Sequence, residues 1–124
     1  MKEPVALGSS VHRFGHDTWE VKRERLDAEW TPLVDEKRRK VHGWACVEEV
    51  PPHMLGRTID HGTARLIFSA KPFSVQLIAT RDGQGFGAFS AQTWYATREE
   101  ALAHARKALV QQGKRYAKKY GGAS

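Results

Sequence analysis

One cysteine, Cys46, stands in a chain of 124 residues. With no second thiol there is no internal disulfide and no cysteine zinc site, and a reducing compartment suits such a chain. Long hydrophobic runs are missing too. None approaches the roughly 20 residues that a membrane-spanning helix needs, and the opening MKEPVALGSS has too short an apolar stretch for a secretion signal. These absences predict a soluble, cytoplasmic protein. Nucleophile elbow, phosphate loop and zinc-protease pair are likewise absent. GQGFG (83–87) carries half of a glycine-rich phosphate loop, but no helical pattern follows it, so its glycines read as turn residues. The last absence is of charge of one sign. Residues 101–124 contain six Lys/Arg and not one Asp or Glu, whereas residues 1–100 hold 14 of each kind. The whole formal excess of +6 therefore sits in the last 24 residues. That asymmetry points one end of the molecule at an anionic partner.

What is present fits a single domain over 1–124. The length supports one core without staples, and 40% hydrophobic with 27% charged residues is ordinary for a globule. Residues 1–16, with Pro4, Gly8, Ser9, Ser10 and Gly15, read as an irregular lead-in. In HDTWEVKRERLDAEW (16–30), Asp17 and Glu20 have the spacing of a capping box. Trp19, Leu26 and Trp30 recur at helical intervals, and Arg23–Asp27 and Arg25–Glu29 are one turn apart. A helix is expected there, with a charged edge strand as the competing reading because Trp19 and Val21 also alternate. Thr31-Pro32 looks like a second helix start, leading through LVDEKRRKV to Gly43.

Beyond Gly43 the period changes to two. WACVEEV (44–50) alternates, and Pro51-Pro52 ends it. HMLGRTIDHG reads as a loop, followed by strands in TARLIFSA and FSVQLIAT, a hairpin turn in RDGQG, and a return through FGAFSA and TWY. Thr97–Glu100 has capping-box spacing again, with acids at the positive end of a helix. Leu102, Ala105 and Leu109 then share one side. If the helix continues through Gly113, Tyr116 and Tyr120 extend that side, while Lys107, Lys114, Arg115, Lys118 and Lys119 gather opposite. Residues 114–124 form its basic end and tail. The expected fold is α+β: one or two N-terminal helices, an antiparallel sheet of about four strands, and a long C-terminal helix on one sheet face.

Several groups of residues carry chemistry worth weighing. The five helix cations suit phosphates, although cations near a helix C-terminus also complement its dipole and keep a surface soluble. The run Lys37, Arg38, Arg39 and Lys40 is a possible secondary contact, offset by Asp35 and Glu36. Of the four tryptophans, core filling is the ordinary role. Trp94, beside Tyr95 near the end of the sheet, is the best placed to stack on a base. His12 and His16 stand four residues apart, and His53 and His61 lie near Asp60, but clustered metal-ligand spacing is lacking. Cys46, His61 and Asp60 would be the parts of a thiol site. Yet Cys46 lies among Trp44, Ala45 and Val47, where a buried inert thiol is usual. No catalytic residue, metal or cofactor is expected, and the chain reads as a non-enzyme.

The stretch FSVQLIATRDGQGFGAFSAQTWYATREEALAHARKAL (73–109) is superficially similar to the sheet and final helix of a double-stranded RNA-binding domain. That family opens its last helix with paired lysines. Here Thr97-Arg98-Glu99-Glu100 stands in their place and TWY is an additional strand, so the function is not carried over. Two readings follow from the sequence. One is a non-enzymatic module that binds nucleic acid or a nucleoprotein through the basic helix face, mainly by phosphate contacts. The other is a small inhibitor or adaptor docking on an acidic protein surface, of the kind that phages and mobile elements direct at host defence machinery.

Overall fold

A computed structural model describes residues 3–28, 33–34, 40–81, 84–88 and 91–120. Side chains are described for these except at 33–34, 40–42, 79–81, 84–88, 116, 119 and 120. The molecule is a sheet-rich α+β fold whose one α-helix among the described residues lies near the C-terminal end, with a single 3-10 turn at Pro52–Met54. Five strands form the main antiparallel ladder in the order β1 (Val5–Phe14), β2 (Asp17–Asp27), β4 (Lys40–Glu49), β7 (Phe73–Arg81), β8 (Gln84–Ala88). Short β3 (Leu33–Val34) adds to β4, and β9 (Thr93–Tyr95) adds to β7. A separate hairpin pairs β5 (Thr58–His61) with β6 (Ala64–Ile67). The helix α1 runs from Arg98 to Tyr120.

The N-terminal helices expected from the sequence are not there. Asp17–Asp27 is a strand between β1 and β4. Its alternation outweighs its helical intervals: Trp19 and Val21 are buried on one face, Leu26 on the other. Lys22 and Arg23 stand opposite Glu49 and Glu48 of β4, a cross-strand charge match that a helix would not use. Arg25 pairs with Asp27 at 2.8 Å, two residues along one strand face, rather than with a residue one helical turn away. The second expected helix fails as well, since Leu33–Val34 and Lys40–Val41 pair as strands; residues 35–39 lie outside the described set.

The stretch read as an irregular lead-in contains a strand. Val5–Phe14 forms a ten-residue strand joined to β2 by the two-residue turn Gly15-His16. Gly15 has φ +62°, the left-handed conformation that tight hairpins demand. A Cβ there would also come within 3.2 Å of the His61 ring, which would have to shift to admit it. The stretch read as a loop before TARLIFSA contains β5, turned into β6 at Gly62 and Thr63.

The sheet is covered on both faces. On one face Leu26, Ala45, Val47, Val75 and Leu77 meet Ala101, Leu102, Ala105 and Leu109 of α1. On the other, residues 50–70 fold back so that Val50, Met54, Ile59 and Phe68 pack on Trp19 and Val21. Trp44, Cys46 and Ile78 form a third small cluster. Each fully buried Leu or Val contributes about 1.5–3 kcal/mol of transfer free energy. These contacts, not helix propensity, fix α1 on the sheet.

Candidate nucleic-acid interface

The start of α1 is set by local chemistry. Glu100 donates its backbone N–H to Thr97 Oγ1 at 3.2 Å, and Glu99 and Glu100 lie in the positively polarised first turn. Arg98, one residue earlier, makes a two-pronged contact with Glu24 of β2, at 2.7 and 2.8 Å. That hydrogen bonding, reinforced by the charge of Arg98, holds the Glu24 carboxyl below the usual carboxylate range. The pair latches the helix start to the sheet. Downstream, Ala101, Leu102, Ala105 and Leu109 are spaced to face the core, and the helix passes through Gly113 without interruption.

Burial of that stripe dictates where the cations go. Lys107, Lys114, Arg115 and Lys118 are all exposed. Lys107, Lys114 and Lys118 are separated by seven and then four residues, so they fall within about 40° of one another around the helix and span about 16 Å along it. Arg115 stands roughly 100° to one side of Lys114. None of the four makes an ion pair or hydrogen bond with another described residue. Position 119 is five full turns beyond Ala101, on the azimuth of the buried stripe. Lys119, Tyr116 and Tyr120 have no described side chain, so the expected division of tyrosines from lysines at this end lies outside the described residues.

The other expected contacts are not brought to this surface. Trp94 pairs with Ser74 on the opposite face of the sheet, half-buried against the cluster around Trp19 and Met54. Its neighbour Tyr95 is the one that turns to α1, packing on His104 with ring centroids 5.0 Å apart. Lys40 opens β4, while Lys37, Arg38 and Arg39 lie outside the described residues. Trp19 and Trp44 are buried, and Arg25 stacks over the Trp44 ring at 4.4 Å.

Cys46, His61 and His12 each have neighbours of their own. Burial pushes the Cys46 thiol up, and Arg23 Nη2 approaches its Sγ at 3.6 Å. His61 contacts the rings of Phe14 and His16, and Asp60 pairs with Arg65, so the three residues of a thiol site are engaged separately. His12 Nε2 lies 3.2 Å from Glu48 Oε2. Among the described residues no group of three or more His, Cys, Asp or Glu is arranged to hold a metal ion.

Two features escaped sequence reasoning. One is the Glu24–Arg98 latch, which joins residues 74 apart and leaves no local signature. The other is a cleft of about 380 Å³ between the β1–β2 half of the sheet and the helix start, lined by Ala6, Ser9, Lys22, Val47, Phe73 and Arg98 among others. No described helix is long and apolar enough to cross a membrane. Compared with known proteins, the chain matches no family model, no curated protein and no solved structure.

Proposed function

We propose that this protein is a non-enzymatic module that binds nucleic acid, alone or within a nucleoprotein, through the outward face of α1. The observation that carries this reading is the line of Lys107, Lys114 and Lys118, flanked by Arg115, exposed and without a described acidic partner. Packing of Ala101, Leu102, Ala105 and Leu109 on the sheet sets the direction of the helix that carries these cations, and its continuation to Tyr120 holds them at helical spacing. Ammonium groups spread along 16 Å or so suit successive phosphates, contacts that give affinity and orientation but little base preference. Trp94, turned to the other face, has no part in this surface, so stacking on bases is not part of the proposal.

The test is direct titration of fluorescein-labelled duplex DNA and single-stranded RNA at low salt. Replacing Lys107, Lys114, Arg115 and Lys118 together by alanine should weaken binding of either probe by at least tenfold. Equal affinity of the variant and the parent protein would defeat the reading.

A second reading, an adaptor or inhibitor that seats the same helix in an acidic groove of another protein, is favoured by one observation. Among the described residues no strand covers the outer edge of β1, which carries exposed Val5, Leu7 and Val11. Capture of a single stoichiometric protein, unaffected by nuclease, would support it over the first.

A further inference from the structure

Two hairpin turns that meet beside Phe14 support an inference that does not depend on what α1 binds. His16 closes the β1–β2 turn, and His61 ends β5 just before the turn at Gly62 and Thr63. Far apart in sequence, the two rings stand in edge contact, with centroids 6.3 Å apart and planes at 84°. The turns approach closely, since His61 also meets the Phe14 ring at 6.0 Å and leaves no room for a side chain at Gly15. Both histidines are exposed, and neither makes a hydrogen bond or ion pair with another described residue. By contrast, His12 is engaged by Glu48 and His104 packs on Tyr95.

Neighbouring imidazoles with unengaged nitrogens form a chelate. Two nitrogens that share a tetrahedral zinc ion, each at about 2.0–2.1 Å, set their ring centres roughly 5–6 Å apart. A small turn of the exposed His16 side chain brings the pair to that spacing, a motion that surface rotamers complete within nanoseconds. The carboxylates beside them in sequence are already held, Asp17 by Arg57 at 3.2 Å and Asp60 by Arg65 at 2.7 Å. Water, not a third side chain, therefore completes the coordination. Donor chemistry selects the ion, because imidazole suits zinc, nickel and copper whereas magnesium and calcium take oxygen ligands. We propose that His16 and His61 together bind a divalent transition ion of the zinc and nickel type, pinning the tip of the β5–β6 hairpin to the β1–β2 turn.

The consequence is structural. A two-stranded hairpin standing alone is marginal in water. At its base β5–β6 is held by Ile59 and Phe68, which pack in the cluster with Trp19 and Val21, and by the partly exposed Arg57–Asp17 pair. An ion shared by His16 and His61 fastens the opposite end. Because it is chelated in the docked arrangement and not in the opened one, it stabilises the docked hairpin increasingly as its concentration rises.

The experiment is calorimetric titration of the full chain, free of any affinity tag, with Zn2+ and separately with Ni2+, using Mg2+ as the control ion. The expected result is one Zn2+ or Ni2+ per chain and no uptake of Mg2+. His16→Gln should weaken binding by roughly tenfold or more, since even the outer partners of metal ligands are worth that much. His61→Phe, which keeps a ring against Phe14 while removing both nitrogens, should do the same. Combining the two should cost little more than either alone, because loss of one ligand already breaks the chelate. His53→Gln, at an exposed histidine outside the pair, should bind as the parent does. Saturating Zn2+ should raise the melting temperature of the parent by roughly 5 °C and leave both single variants unmoved. Failure of both ions to bind saturably overturns the proposal. So does binding that survives unchanged in either single variant, or binding that Cys46→Ser abolishes. Nucleic acid takes no part in these measurements, so the α1 titration is decided separately.

Discussion

Salt dependence offers the sharpest check on the basic helix, because geometry fixes how many phosphates it reaches. Consider Lys107, Lys114 and Lys118 changed to glutamine, which keeps length and helix propensity while removing three charges. Each ammonium that neutralises a phosphate contributes about −0.9 to the slope of log K against log salt on duplex DNA, and about −0.7 on a single strand. Three contacts therefore predict a slope change of roughly 2.7 on duplex and 2.1 on single strands. Over a fourfold rise in salt the parent protein should lose about 40-fold more duplex affinity than the triple variant. The assay is fluorescence anisotropy of a labelled duplex across a salt series, with circular dichroism to show that α1 persists. The substituted side chains are exposed and have no described partners, so the fold should be unaffected. A triple variant with the parental slope would refute the reasoning even if its affinity fell, since the charges would then not be displacing counterions.

Other consequences concern stability and reactivity. Leu109 is fully buried at the far end of the helix–sheet contact, so Leu109→Ala should cost about 3 kcal/mol; urea unfolding that shows less than about 1 kcal/mol would contradict the packing described. Glu24→Gln removes one half of the latch, and because the pair is partly exposed the loss at neutral pH should be at most about 1 kcal/mol. Since Arg98 lowers the folded pKa of Glu24, that stabilisation is present above the unfolded value of about 4.3 and disappears as pH falls through the folded one. The difference between Glu24→Gln and the parent, followed by denaturation at a series of acidic pH values, should shrink accordingly; a constant difference would deny the ionic part of the latch. Cys46 should resist Ellman's reagent until the fold opens, so that labelling tracks unfolding; rapid reaction of the native protein would show the thiol more accessible than its 5% exposure implies.

The C-terminal half of the chain was legible because its local and long-range signals agree. Thr97 caps the helix as its spacing predicts, the buried positions 102, 105 and 109 recur at helical intervals, and FSVQLIAT alternates as a strand. The N-terminal half was not, because its strands owe their conformation to partners rather than to their own pattern. VALGSSVHRF has polar and glycine residues where an isolated strand would be weak, and it is ordered by the ladder to β2. In β2 the intervals between Trp19, Leu26 and Trp30 imitated a helix, while the decisive information lay in Glu48 and Glu49, more than twenty residues away. The charge asymmetry singled out the segment that carries the exposed cations. Which cations share a line follows from helix phase, which places Lys107, Lys114 and Lys118 together and sets Arg115 aside. That Trp94 faces away from them depends on the β7–β9 register, which short TWY cannot announce.

Strand β4 is bonded to β2, β3 and β7; its Ala45 and Val47 enter the core under α1, and Trp44 and Cys46 join Ile78 in the small cluster. The helix cannot detach without stripping cover from this strand, so α1 and the central sheet should melt together. The amide protons of β4 should be among the last to exchange with heavy water, at rates set by the opening of the entire structure. Evolutionary change elsewhere would then be judged largely by whether it leaves that central ribbon sheltered.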